Sequence, residues 1–153
     1  MASRRRSPLE TALIDDVVED MLAKWVIIPS HSDWVSEPHL VRKDDGTYKF
    51  CIDFRPLNKI TIHDRYPLRW IDNLLDYLGR SWFFTSLDLA SRYYRQIPLH
   101  PKDAHKTAFR THRGLFQFTC MPFGLSDAVS TFQRTPNAIF EDFITQGVLL
   151  IYF

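Results

Sequence analysis

Asp88 is the residue with the greatest chemical reach in this sequence. It stands near the end of the apolar run Trp82-Phe83-Phe84-Thr85-Ser86-Leu87-Asp88-Leu89, where burying a carboxylate is costly unless it meets a cation or hydrogen-bond donors. A carboxylate at the lip of a sheet suits a metal ligand; a helix cap or a partner for a nearby arginine accounts for it as well. Two-metal phosphoryl transfer needs several carboxylates around ions roughly 4 Å apart, so Asp88 alone does not define such a site. A second group is basic. If Asp45-Gly46 closes a two-residue hairpin, Arg42 faces Lys49 directly across the ladder. Like charges so placed destabilise a sheet, and an anion bound between them reverses the sign, which makes the pair a phosphate clamp. A three-residue loop shifts the register by one and removes that pairing, and a solvated edge hairpin blunted by charge fits the same residues. The third group is Met121-Pro122-Phe123-Gly124-Leu125, whose glycine lets a backbone approach a ligand or simply turn tightly.

These groups need elements to position them. Ser7-Pro8-Leu9-Glu10 is a capping box with proline at the first helical position. Leu9, Leu13, Val17, Met21 and Trp25 follow at helical spacing and predict one apolar stripe, stopped by Pro29. The runs 39–43 and 47–53 predict the two strands of the hairpin. Leu68, Ile71, Leu74, Leu75 and Leu78 predict a second helix ended by Gly79. Residues 82–89 read as a buried strand. Runs 96–99, 106–110 and 115–120 read as further strands, the last two a hairpin around Gly114. Ser126 is expected to cap a helix that buries Val129, Phe132, Ile139, Phe140 and Phe143. Pro136 lies inside that helix and should kink or break it at a cost of roughly 3 kcal/mol. Residues 148–153 form a bare apolar strand, an edge that predicts poor solubility. Mixed helices and antiparallel strands point to an α+β fold.

Composition narrows the function classes. The chain has 153 residues, 45% of them hydrophobic and 14% aromatic, which fits a packed core and excludes disorder. A net charge of +1 gives no general reason to expect nucleic-acid binding, so that function must rest on local clusters. Cys51 and Cys120 lack partners at metal-ligand spacing and read as reduced core thiols of an intracellular protein, with cytoplasm and nucleus not distinguished. Arg4, Arg5 and Arg6 have no apolar stretch behind them, so no signal peptide is expected, and no run approaches membrane-spanning length.

Taken in order, the phrases resemble a known family. They are Ser32-Asp33-Trp34-Val35-Ser36 with Leu40-Val41-Arg42-Lys43-Asp44-Asp45-Gly46, and Phe50-Cys51-Ile52-Asp53-Phe54-Arg55-Pro56-Leu57-Asn58-Lys59. Arg65-Tyr66-Pro67-Leu68 and Leu87-Asp88-Leu89-Ala90-Ser91 follow. Lys106-Thr107-Ala108-Phe109-Arg110, Met121-Pro122-Phe123-Gly124-Leu125 and Thr131-Phe132-Gln133 complete the set. Weak singly, in this order and spacing they resemble the reverse transcriptase domain of gypsy-class long-terminal-repeat retrotransposons. The resemblance implies fingers and a partial palm of a right-hand polymerase without its thumb. Residues 1–30 would be an N-terminal helix and lead-in, and 31–153 an incomplete fingers and palm. It implies an RNA-directed DNA polymerase that uses magnesium and deoxynucleoside triphosphates on an RNA or DNA template with primer, as part of a larger polyprotein.

By position, the resemblance makes Asp88 the first catalytic carboxylate and metal ligand, with the Leu89 carbonyl nearby. Arg42, Lys43 and Lys49 fall where the fingers grip the triphosphate, and Tyr93 where an aromatic ring underlies the sugar. Phe123 and Gly124 border the nucleotide pocket, Gln133 lies toward the template, and Arg55 supports the fingers scaffold. Leu150-Ile151-Tyr152-Phe153 matches the approach to the family's paired aspartates, which these 153 residues do not reach. The family's Ser-Gly-Tyr-x-Gln-Ile stands here as Ser91-Arg92-Tyr93-Tyr94-Arg95-Gln96-Ile97, one residue longer, and its Asn-Ala-Pro as Asp127-Ala128-Val129. The expectation is therefore a polymerase domain that is inactive as these residues stand, without tight binding of two magnesium ions. The alternative is a non-catalytic nucleic-acid-binding or interaction module derived from a retroelement.

Overall fold

The structure is a computed structural model and describes residues 6–64, 66, 76, 82–83, 85 and 97–147. Helix α1 (Pro8–Ala23) begins as the capping box requires: the Ser7 hydroxyl accepts from the Glu10 amide at 3.2 Å, and the Ser7 amide donates to the Glu10 carboxylate at 2.8 Å. Its buried residues are Ile14, Val18 and Met21, not the expected stripe, and Trp25 is 76% exposed. A strict four-residue repeat drifts about 40° per step around a helix of 3.6 residues per turn. Leu9 and Trp25 therefore end on nearly opposite sides. Nor does Pro29 stop the helix. Trp25 adopts a φ of +57°, its amide donates to the Leu22 carbonyl at 3.0 Å and that of Val26 to Met21 at 2.9 Å. These two bonds make a Schellman cap with a tryptophan where glycine is usual.

Strand β1 (Ile27–Pro29) follows and forms one edge of an antiparallel sheet of order β1-β5-β4, with β4 spanning Phe109–Thr111 and β5 spanning Gly114–Phe118. The register pairs Ile27 with Phe118 and Phe109 with Phe116. The two-residue alternation of a strand thus turns all four toward the core. Thr111 pairs with Gly114, so the expected hairpin is present, with His112 and Arg113 at its turn. Lys106 and Thr107, expected in a strand, belong instead to a 3₁₀ turn over residues 105–107. The Thr107 hydroxyl donates to the Ala104 carbonyl at 2.7 Å and accepts from the Phe118 amide at 3.1 Å, side-chain bonds that favour a turn over a ladder.

Strands β2 (Pro38–Arg42) and β3 (Tyr48–Ile52) form a separate two-stranded ladder. Phe50 packs edge-on against Phe109 with centroids 5.9 Å apart, and Phe54 against Phe118 at 6.4 Å. The hairpin, the three-stranded sheet and α1 therefore share one core. Glu37 reinforces the junction: it accepts from Arg6 at 3.3 Å and from the Arg110 Nε at 2.9 Å. Helix α2 (Arg55–Asn58) leaves β3 directly, and the short α3 (Pro101–Ala104) precedes the 3₁₀ turn. Residues 97–99 run beside 119–121, with the Leu99 amide bonded to the Thr119 carbonyl and Met121 to Ile97, each at 2.9 Å.

Helix α4 (Ala128–Ile139) is capped by Asp127 in position only, with no side-chain bond. Ser126 is not the cap, because the helix begins at Ala128 and the position before it is Asp127. The buried face is Ala128, Phe132, Gln133 and Pro136, whereas Val129, Ile139, Phe140 and Phe143 are exposed. Of the expected face only Phe132 is buried. Pro136 sits inside α4, which runs on through it to Ile139; the break comes at Phe140, before α5 (Glu141–Thr145). Cys51 and Cys120 are free and half-buried. Trp82 and Phe83, from the run expected to be a buried strand, are exposed; no described element packs over them to take their apolar surface from water. Thr85 of that run is exposed as well, and Asp76 is helical; the remaining residues of the run, the rest of the second helix and the strand at 148–153 lie outside the described residues. The fold is mixed helix and antiparallel sheet, and no described helix is long and apolar enough to cross a membrane.

Candidate functional site

The basic hairpin closes through three residues, Asp44, Asp45 and Gly46. The Gly46 amide donates to the Lys43 carbonyl at 3.0 Å and the Lys43 amide to the Thr47 carbonyl at 2.8 Å. Gly46 has a φ of +80°, the conformation that ends a three-residue loop and that glycine adopts without strain. The Asp45 carboxylate accepts from the Thr47 hydroxyl at 2.6 Å and its amide at 2.8 Å; these bonds hold its pKa below the usual carboxylate value. This closure sets the register one residue away from a two-residue loop. Arg42 pairs with Tyr48, and Lys49 with Val41. Side chains alternate across a ladder, so Lys43 and Lys49 share one face while Arg42 lies on the other with Leu40 and Phe50. The expected clamp of Arg42 directly facing Lys49 is not formed.

Lys49 meets a different partner. Its ammonium stands 5.5 Å from the centroid of the Phe123 ring, a cation–π contact of about 0.5–1 kcal/mol at an exposed site. The hairpin and the loop 121–126 are thereby brought together, and Lys49, Phe123 and Gly124 form one exposed surface. The loop is fixed from below. Pro122 is fully buried, and Gly124 has a φ of +94° with its α-carbon close over Phe54: an added Cβ would lie 3.5 Å from the Phe54 ring and 3.7 Å from the Ile52 carbonyl. The Asn58 side chain donates to the Gly124 carbonyl at 2.8 Å and accepts from the Ser126 amide at 3.0 Å. One bond needs the amide nitrogen and the other the oxygen, so the pair fixes the orientation of the group.

Arg55 does not reach this surface. Its guanidinium grips Asp53 in bidentate fashion, at 2.8 and 2.6 Å, and that bonding holds the Asp53 pKa at about 2. Gln133 is 4% exposed, its amide donating to Asn137 at 3.2 Å, and Asn137 donates to the Tyr66 hydroxyl at 2.9 Å. Arg134 pairs with Asp64 and lies 5.1 Å from the Tyr66 ring. These contacts anchor Asp64 and Tyr66 on α4 and turn Gln133 inward. Asp88, Leu89 and Tyr93 lie outside the described residues. Among the described residues no group of three or more His, Cys, Asp or Glu side chains could hold a metal. A cavity of about 750 Å³ opens on the other side of the loop, between Trp34, Leu57, Leu99 and Leu125; neither Lys49 nor Phe123 lines it.

Asn58 was not singled out as a site residue. It closes the phrase Arg55-Pro56-Leu57-Asn58, and an asparagine after a short helical turn is a commonplace of loops. Its partners lie 66 and 68 residues away, a pairing that no local pattern announces.

Residues 41–153 match the family model described as reverse transcriptase (RNA-dependent DNA polymerase). The chain belongs to the reverse transcriptase family. Among its relatives is the retrovirus-related Pol polyprotein from transposon 297 of Drosophila melanogaster, 37% identical over 142 residues, which cover 90% of this chain and 13% of the polyprotein. The corresponding polyprotein from transposon gypsy of the same fly is 40% identical over 136 residues, covering 84% and 13%. The foamy viral protease–reverse transcriptase solved in complex with an RNA/DNA hybrid shares the fold, with a TM-score of 0.75 at 18% identity over 93% of this chain and 19% of that one. This reverse transcriptase-like chain thus spans about an eighth of the polyproteins it matches. Its α+β architecture is that of a partial fingers and palm.

Proposed function

We propose that the surface of Lys43, Lys49, Phe123 and Gly124 is the nucleotide-binding half of a template-directed DNA polymerase site. The observation that carries this reading is the contact between Lys49 and Phe123, which sets cationic groups for a triphosphate beside an aromatic ring and a glycine backbone that a nucleoside can approach closely. Lys43 and Lys49 act as point charges on the phosphates. Phe123 supplies a flat apolar wall, and Gly124 leaves room that a side chain would fill. Arg42, on the other face, adds longer-range attraction rather than a direct bond. Tyr93, by its position in the family's motif, would underlie the sugar. Gln133, being buried, supports the template side through α4 without touching it.

In this reading Asp88, with the Leu89 carbonyl, would hold a divalent ion of the kind reverse transcriptases use, magnesium by family. The ion supplies neutralisation of phosphate charge. The partners are a primer annealed to RNA or DNA and deoxynucleoside triphosphates. A polypeptide of these 153 residues brings one catalytic carboxylate to a reaction that needs several, so it is expected to bind nucleotide without extending a primer.

The test is a fluorescence titration of the 153-residue chain with a labelled deoxynucleoside triphosphate at low salt, alongside a primer-extension assay with magnesium. Lys49→Ala should weaken binding about tenfold, and raised salt should weaken the unsubstituted chain in the same direction. Binding unaltered by Lys49→Ala would remove the nucleotide assignment. Template-dependent extension by the 153-residue chain would remove the expectation of inactivity.

A further inference from the structure

We infer that Asn58 is a positioning residue that sets the nucleoside-facing part of the site, a role that rests on the nucleotide reading above. Its side-chain amide satisfies two backbone groups of the loop 121–126 at once, the Gly124 carbonyl at 2.8 Å and the Ser126 amide at 3.0 Å. Both bonds fall just after Phe123 in the chain, the first on the residue that follows it. Asn58 is itself held by the Phe54 carbonyl, to which its own amide donates at 2.8 Å, and Phe54 is a fully buried core residue beneath Gly124. A short rigid path therefore runs from the core through α2 to the loop. No other side chain of the described residues bonds the backbone of Gly124 or Ser126.

Lys43 and Lys49 belong to the hairpin and owe their placement to its own ladder and turn, not to Asn58. The two halves of a nucleotide would thus be held by elements with separate backbone bonding that meet at the Lys49–Phe123 contact: the phosphates by the hairpin, the nucleoside by the loop. Removing the Asn58 amide frees the loop while leaving the hairpin charges in place. The consequence is selective. Affinity for a complete nucleotide falls, and affinity for a bare polyphosphate does not. A general loosening of the fold would lower both.

The experiment compares a deoxynucleoside triphosphate with inorganic tripolyphosphate as titrants of the 153-residue chain and of two variants. Asn58→Ala deletes both bonds. Ser126→Pro removes the amide that donates to Asn58 and sets a ring carbon against the Asn58 oxygen, so the side chain is displaced from the loop; it falls at the second position of the turn closed by the Ala128-to-Leu125 bond, where proline is favoured, and it decides the matter should Asn58→Ala fail to fold. Each variant is expected to bind the nucleotide about five- to tenfold more weakly and tripolyphosphate within twofold of the unsubstituted chain. Equal loss for both titrants, or loss for neither, would overturn the role of Asn58 and leave the nucleotide site standing. Failure of the unsubstituted chain to bind either titrant would remove the site and this role with it.

Discussion

Replacing Gly124 by alanine separates backbone strain from steric fit in the loop that carries Phe123. The methyl group would lie 3.5 Å from the Phe54 ring and 3.7 Å from the Ile52 carbonyl, ordinary van der Waals distances that require no displacement. What remains is the backbone, whose φ of +94° disfavours any L-residue by about 1–2 kcal/mol. Loss of chain entropy in the unfolded state returns roughly 0.4–1 kcal/mol when glycine becomes alanine. The net expected destabilisation is about 1 kcal/mol, or a fall of about 2–4 °C in Tm for a chain of this size. Gly46 provides the control, since it has a φ of +80° and nothing within 4 Å of the added methyl. If strain alone acts, Gly46→Ala and Gly124→Ala should cost nearly the same. Urea titration with the slope m unchanged measures both. A cost at Gly124 exceeding that at Gly46 by about 2 kcal/mol or more would refute the reasoning, because it would mean that the loop packs too tightly to admit a methyl group.

The same strain operates in reverse at Trp25, whose φ is +57° and whose side chain is largely exposed. Trp25→Gly should raise stability by about 1 kcal/mol, seen as a higher urea midpoint; a lower midpoint would show that the indole contributes packing that outweighs the strain. Acid titration addresses Asp53. Its folded pKa of about 2, set first by the bond from Arg55, lies below the ordinary 3.8, so its contribution is present above pH 4 and is lost as pH falls through 2. Because the Arg55 side chain is 85% exposed, solvent screening limits the effect to about 1 kcal/mol or less. The stability gap between the unsubstituted chain and Asp53→Asn should shrink between pH 4 and pH 2, and a gap constant over that range would contradict the assignment.

Local chemistry was legible where a few neighbouring residues settle the outcome. The Ser7–Glu10 box and the turn at Gly114 required no distant partner. Family membership and fold class were legible too, because the ordered phrases cover most of the chain. Phase was harder to read. The α1 stripe and the α4 face were both misjudged because several apolar residues on each helix compete for one core, and only the packing partners choose among them. The hairpin turned on a single residue: the Asp45–Thr47 bonds and the positive φ of Gly46 select a three-residue loop, and that shift carries Arg42 to the opposite face. Ser126 looked like a cap, but the helix starts one residue too late for it, at Ala128 after Asp127. Gln133 illustrates a different limit, since a polar residue in a motif can be buried with its own bonding partner.

Glu37 has a practical consequence for anyone trimming this domain. A single carboxylate joins the arm before α1, through Arg6, to β4, through Arg110, and Arg6 also caps the Pro38 carbonyl at 2.9 Å. Cutting at Ser7, the apparent start of the helix, would discard the guanidinium that fastens the amino-terminal arm across the sheet junction. A purification tag is better joined upstream of Arg6, so that both arginines remain on their shared anchor.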